Sequence, residues 1–133
     1  MHMKHVKCVG FIILKGNRFL VEKRAIDDEI DAGKIAIPGG HVEKDEDLKN
    51  TLVRECKEEL NIKPTEYKFV YNCPYITKIE IQDCYYYVVT KWVGEISQKD
   101  AGILDWITFK QKGKLDIAED REAINQLEKI LAR

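Results

Sequence analysis

Three glutamates, Glu55, Glu58 and Glu59, fall within five residues of the stretch GGHVEKDEDLKNTLVRECKEELNI, which runs from residue 39 to 62 and carries seven carboxylates. On a helix, at about 100° per residue, the three lie within about 100° of one another, so their carboxylates converge on one surface. Arg54 lies outside that arc. Carboxylates this close repel one another unless a cation sits between them. Gly39 and Gly40 stand a helix entrance away, where bare backbone lets a ligand approach closely. Hard oxygen donors with exposed carbonyls suit Mg²⁺, with Mn²⁺ as a substitute, rather than zinc. The competing reading is a solvated acidic face. Glu59 weighs against it, because it projects at nearly the azimuth of Leu48 and Leu52, where the helix meets the core and a lone charge is unfavourable.

The elements that must hold these residues are readable from pattern and punctuation. Val6 to Lys15 is rich in Val, Ile and Phe and runs into Gly16-Asn17, after which Phe19 to Glu22 resumes the apolar pattern; the spacing predicts a hairpin. Residues 25 to 34 read as a loop, followed by a short strand from Ile35 to Ile37 that Pro38 stops before the two glycines. Asp45 or Asp47 caps a helix running to about Leu60, with Asn61 as a left-handed terminator. Tyr67 to Tyr71, Tyr85 to Glu95 and Trp106 to Phe109 read as strands. A second helix is predicted over Ala118 to Leu131, with Ile124, Leu127, Ile130 and Leu131 on one side. The sum is α+β, a mixed sheet with two main helices.

At 133 residues and 44% hydrophobic content, the chain is expected to form one domain over residues 1–133. The 22 basic and 23 acidic residues leave a formal net charge of -1, which provides no global field to recruit a nucleic-acid polymer or an anionic membrane. Cys8, Cys56, Cys73 and Cys84 are scattered without a CxxC pair, and the longest apolar run, Cys8 to Leu14, is about a strand in length. These features predict free thiols and a soluble, cytoplasmic protein.

The order Gly40, Glu46, Arg54-Glu55-Cys56, Glu58-Glu59, Asn61-Ile62 resembles the signature of the Nudix hydrolases, with Asn61 in place of the usual glycine. The segments EKRA, IPGGHVE, KWVGE and DWITF extend the resemblance to the MutT-like, nucleotide-sanitising branch over most of the chain. It implies an α/β/α sandwich around a mixed sheet, with the glutamate helix against the sheet. It also implies Mg²⁺-dependent hydrolysis of a phosphoanhydride. Glu55, Glu58 and Glu59 would hold the ions, joined by the carbonyl of Gly39, while Arg54 and Glu46 would pair and fix the loop. Asp100, five residues after Glu95, falls where the related branch carries an acid that approaches the metal, with Asp105 as its rival. Arg24, at the end of a strand facing the glycine loop, is placed to clamp phosphate. His41 is near enough to that loop to touch one.

No marker for coenzyme A or NADH substrates is visible, and Pro74-Tyr75 come too early for the one associated with ADP-ribose. A nucleoside triphosphate leads by elimination, a damaged one such as 8-oxo-dGTP included. Glu80 stands about where the branch has an arginine, and Asp120-Arg121 about where it has a purine-reading asparagine; Asp120 can still pair with a base edge. Hydrolysis of ADP-ribose or another nucleoside diphosphate derivative is the alternative within the enzyme class. A nucleotide-binding domain without turnover is the alternative outside it. The expected partner is a free nucleotide, and the expected state a monomer or homodimer.

Overall fold

The computed structural model describes residues 3–98 and 102–133. The chain opens with β1 (Lys4–Lys15) and β2 (Arg18–Lys23), joined as predicted by Gly16-Asn17, where Gly16 takes a φ of 62° that suits a two-residue hairpin loop. A polar loop leads to β3 (Ile35–Ala36) and then to β4 (Gly39–His41). The two glycines therefore do not sit in an open loop. They form a short strand, with Gly39 opposite Gly10, Gly40 opposite Val9 and His41 opposite Cys8.

Helix α1 (Leu48–Leu60) is bounded by local chemistry. Asp47 is its N-cap, accepting from the Asn50 amide at 2.7 Å. Asn61 ends it in the left-handed region at φ 62°, its N–H directed to the carbonyls of Cys56 and Lys57. Strands β5 (Lys63–Ile76) and β6 (Glu80–Val93) then form a long antiparallel hairpin, and β7 (Ile103–Thr108) precedes a 3-10 turn over Phe109–Lys114 and helix α2 (Ala118–Leu131). Strand β5 is longer than its apolar stretch suggests because it lies at the sheet edge, where Pro64 and Pro74 are tolerated and register shifts interrupt its ladder.

The sheet runs β3-β2-β1-β6-β5, with β4 added to β1 and β7 to β2. The β1/β6 pair is parallel and the others are antiparallel, which makes the sheet mixed. Alternation along β1 divides the core. Val9, Phe11 and Ile13 pack with Leu52, Cys56 and Leu60 of α1, whereas Cys8 and Ile12 pack with Ala123, Ile124 and Leu127 of α2. The result is the α/β/α sandwich. Leu52, Ile124 and Leu127 are fully buried, each a position where truncation to alanine costs about 2–5 kcal/mol. Leu131 is 52% exposed, so α2 outruns the core at its last turn.

Candidate functional site

Strands β1 and β2 are paired only at Leu14–Lys15 with Arg18–Phe19. Beyond that point β1 takes β4 as its neighbour and β2 takes β3, so the two strands diverge and leave a cleft of about 540 Å³ between them. Glu55, Glu58 and Glu59 of α1 line one side, Gly39, Gly40 and His41 the edge, and Tyr86 and Asp120 the depth.

Glu55, like Leu52, points from α1 towards the sheet and is only 7% exposed. The most deeply placed acid is thus Glu55, one turn before the Glu59 singled out by azimuth, which is half-buried. Glycine at 40 is what admits it. A β-carbon built at residue 40 would collide with all three atoms of the Glu55 carboxyl group. Burial pushes the Glu55 carboxyl up, opposed by the Arg54 guanidinium and reinforced by Glu58.

Arg54 is a cation within the acidic cluster, but its single charge meets four carboxylates, those of Glu43, Glu46, Glu55 and Glu58. Its Nε and Nη2 grip Glu46 at 2.8 and 2.9 Å in a bidentate pair, and Nη2 also donates to the His41 carbonyl at 2.9 Å. Nη1 reaches back to Glu55 at 2.8 Å and to Glu58 at 3.1 Å. Its Cα direction falls outside the glutamate arc, but the long side chain crosses into it. The hydrogen bonds from Arg54, ahead of those from Thr51 and the Glu43 amide, lower the Glu46 carboxyl to about 2 despite some desolvation. The loop ahead of α1 is therefore tied to the helix, to β4 and to the acidic face through a single guanidinium.

Arg24 lines the cleft and is held by the Ile30 carbonyl at 2.9 Å, with Glu22 at 3.4 Å and Asp28 at 3.5 Å. The His41 ring bonds Glu80 at 2.6 Å. Asp120 is buried in the first turn of α2, where its oxygens accept from the Tyr86 hydroxyl at 2.6 Å and the Ile37 amide at 3.0 Å. Desolvation raises its carboxyl to about 6, the two hydrogen bonds opposing the shift. Asp100 lies outside the described residues. Asp105 and Glu95 are exposed and do not line the cleft, and Asp105 accepts from the amide of Trp106.

Two cleft residues escaped the sequence reading. Glu22 is 4% exposed, receives the Gly102 amide at 3.2 Å, and has its carboxyl raised by burial against the pull of that amide and of Arg24. A lone acid on a strand otherwise buried from Phe19 to Val21 was its signal. Tyr75 spans to Asp31 through a 2.8 Å hydrogen bond, a contact made by residues 44 apart that no local pattern announces.

The donors that α1 presents are all oxygen, the set that Mg²⁺ or Mn²⁺ prefers, and the residues present fit such an ion. A two-helix sandwich on a mixed sheet, with an arginine-bound glutamate face beside a glycine strand, is the architecture of the MutT-like hydrolases. The chain belongs to the Nudix family, whose domain model, NUDIX domain, matches residues 4–127. It is 32% identical over 107 residues to an 8-oxo-dGTP diphosphatase of Buchnera aphidicola, covering 79% of this chain and 78% of that one. To the 8-oxo-dGTP diphosphatase of Escherichia coli it is 28% identical over 101 residues, 76% of this chain and 78% of that protein. In fold it matches the crystal structure of a MutT protein from Methanosarcina mazei, with a TM-score of 0.88 at 19% identity, over 100% of this chain and 99% of that one.

Proposed function

We propose that residues 1–133 act as a single Nudix domain that hydrolyses a phosphoanhydride of a free nucleoside triphosphate, giving the nucleoside monophosphate and pyrophosphate. The observation that carries this reading is the placement of Glu55 against Gly40, with Glu58 and Glu59 beside it, at the mouth of a cleft of nucleotide size. A chain that only bound nucleotides would have no use for three mutually repelling acids. Relatives named as 8-oxo-dGTP diphosphatases support the substrate class and make 8-oxo-dGTP the first compound to test.

In this reading Glu55, Glu58, Glu59 and the Gly39 carbonyl hold Mg²⁺, or Mn²⁺ in its place. The ion supplies charge neutralisation and Lewis acidity at the phosphates. Arg54 keeps the glutamates spaced and the Glu46 loop fixed. Arg24 and His41 edge the cleft where phosphates enter, and Asp120 with Tyr86 forms its depth, where the base goes. Asp100 accepts the proton of the attacking water as general base. Four free cysteines, all buried, match a reducing cytoplasmic setting, and no helix among the described residues is long and apolar enough to cross a membrane. The protein works as a monomer or homodimer on a small anionic substrate.

A product assay over 8-oxo-dGTP, the common nucleoside triphosphates and ADP-ribose, each with and without Mg²⁺, tests the reading. Release of pyrophosphate from at least one triphosphate, abolished by chelation, is the expected result. Tight nucleotide binding with no product, or turnover of ADP-ribose alone, contradicts it.

A further inference from the structure

Cys8, His41 and Glu80 are far apart in sequence and belong to three strands, β1, β4 and β6. Sheet pairing gathers them. Cys8 faces His41 across the antiparallel β1/β4 pair and neighbours Cys84 in the parallel β1/β6 pair, while Glu80 opens β6 opposite Lys4. One donor atom from each of Cys8, His41 and Glu80 lies within 4.8 Å of the other two. Among the described residues this is the metal-compatible group so gathered, and it contains none of the α1 glutamates.

The chemistry of the group differs from that of the acidic face. A thiol, an imidazole and a carboxylate form a mixed S/N/O set that selects Zn²⁺ over Mg²⁺. Around tetrahedral zinc, with bonds of about 2.0–2.3 Å, donor atoms stand about 3.3–3.8 Å apart, so the present group needs only to tighten while the His41–Glu80 contact of 2.6 Å opens slightly. Two ligands are anchored, since Cys8 is 7% and Glu80 8% exposed, and Gln82 orients the Glu80 carboxylate from 2.9 Å. His41 is exposed at the cleft edge and provides the way in. His41 and Gln82 already satisfy the Glu80 carboxylate, and the buried Cys8 thiol beside it would gain a partner in a bound metal.

We propose that Cys8, His41 and Glu80 form a second, zinc-selective site in the wall of the cleft, separate from the α1 glutamates. Binding displaces the Cys8 thiol proton to solvent, while the His41 imidazole ligates through one ring nitrogen and keeps its N–H on the other, with no change of oxidation state. The site is joined to the acidic face through residue 41 itself, whose carbonyl Arg54 holds while its ring ligates.

Cobalt(II) titration of the full chain in excess Mg²⁺ tests this without reference to turnover, so its outcome is independent of the hydrolase reading. The wild type is expected to bind one Co²⁺ with a near-ultraviolet thiolate-to-cobalt charge-transfer band and visible tetrahedral bands, displaced by Zn²⁺. Cys8→Ser is expected to abolish the charge-transfer band, and His41→Ala, an exposed change that spares the fold, to weaken binding at least tenfold. Cys56→Ser is expected to leave both intact. Absence of the band in the wild type, its survival in Cys8→Ser, or unchanged affinity in His41→Ala overturns the proposal.

Discussion

The carboxylate of Glu55 fills the space that any side chain at residue 40 would need. One glycine thereby sets how deeply an acid of α1 can enter the sheet. Gly40→Ala must displace Glu55 or push β4 away from β1, and a misplacement on the order of 1 Å in such a site costs about 10²-fold in rate. Overpacking adds a destabilisation of about 1–3 kcal/mol. Steady-state kinetics with a thermal melt are expected to show the larger loss in kcat/KM, and near-normal activity would show that Glu55 is not required at that position.

Arg54→Lys keeps the charge but loses the fork that grips Glu46 while touching Glu55, Glu58 and His41. Both partners of the Arg54–Glu46 pair are largely covered, at 23% and 15% side-chain exposure. The expected cost is about 1–3 kcal/mol of stability, measured by urea unfolding. A lysine variant as stable as the wild type would mean that charge alone organises the loop.

Asp120 and Glu46 bend the pH dependence of stability in opposite directions. The Asp120 carboxyl is raised to about 6 by burial, so between the unfolded value near 4 and pH 6 the folded state holds the extra proton, and stability falls as pH rises through that window. Glu46 is lowered to about 2 and supplies stability above its unfolded value that is lost as pH falls towards 2. Melting at pH 5 and pH 7.5 is expected to show a smaller difference between the two pH values for Asp120→Asn, which has no titrating group there, than for the wild type. Identical pH dependence in both proteins would remove Asp120 as its source.

Asn61 holds the left-handed C-cap of α1 at φ 62°. Asn61→Gly is expected to leave stability within about 0.5 kcal/mol, whereas Asn61→Ala forces a β-carbon into that region at about 1–2 kcal/mol. Equal melting temperatures for the two variants would show that the cap geometry carries no energetic weight.

Local features were legible in the sequence and non-local ones were not. The ends of α1 follow from Asp47 and Asn61, residues that act on backbone within a turn of themselves. The span of α2 follows from Ile124 and Leu127 at helical spacing, although the same pattern included Leu131, which the sheet is too short to cover. Azimuth describes where Cβ points, and so it located the glutamates but not the guanidinium of Arg54, which ends several bonds away. The Asp120–Tyr86 hydrogen bond joins α2 to β6, and the Cys8–His41–Glu80 group needs the antiparallel β1/β4 pair together with the parallel β1/β6 pair, pairings with no signal within any one strand. The glycine pair was read as a place for ligand approach, and what lies closest to Gly40 is the Glu55 side chain.

In the proposed reaction the glutamates of α1 carry chemistry rather than structure, and Glu58 is the residue at which the two roles separate. Its carboxylate is 48% exposed and meets Arg54 at 3.1 Å, a surface contact worth little to folding. Mg²⁺-dependent turnover of the best triphosphate should be measured for Glu58→Gln beside the wild type, with thermal melting of both. Turnover is expected to fall about 10²-fold or more with an unchanged melting temperature; retained turnover, or a loss matched by unfolding, would mean that Glu58 serves the fold or the surface and not the reaction.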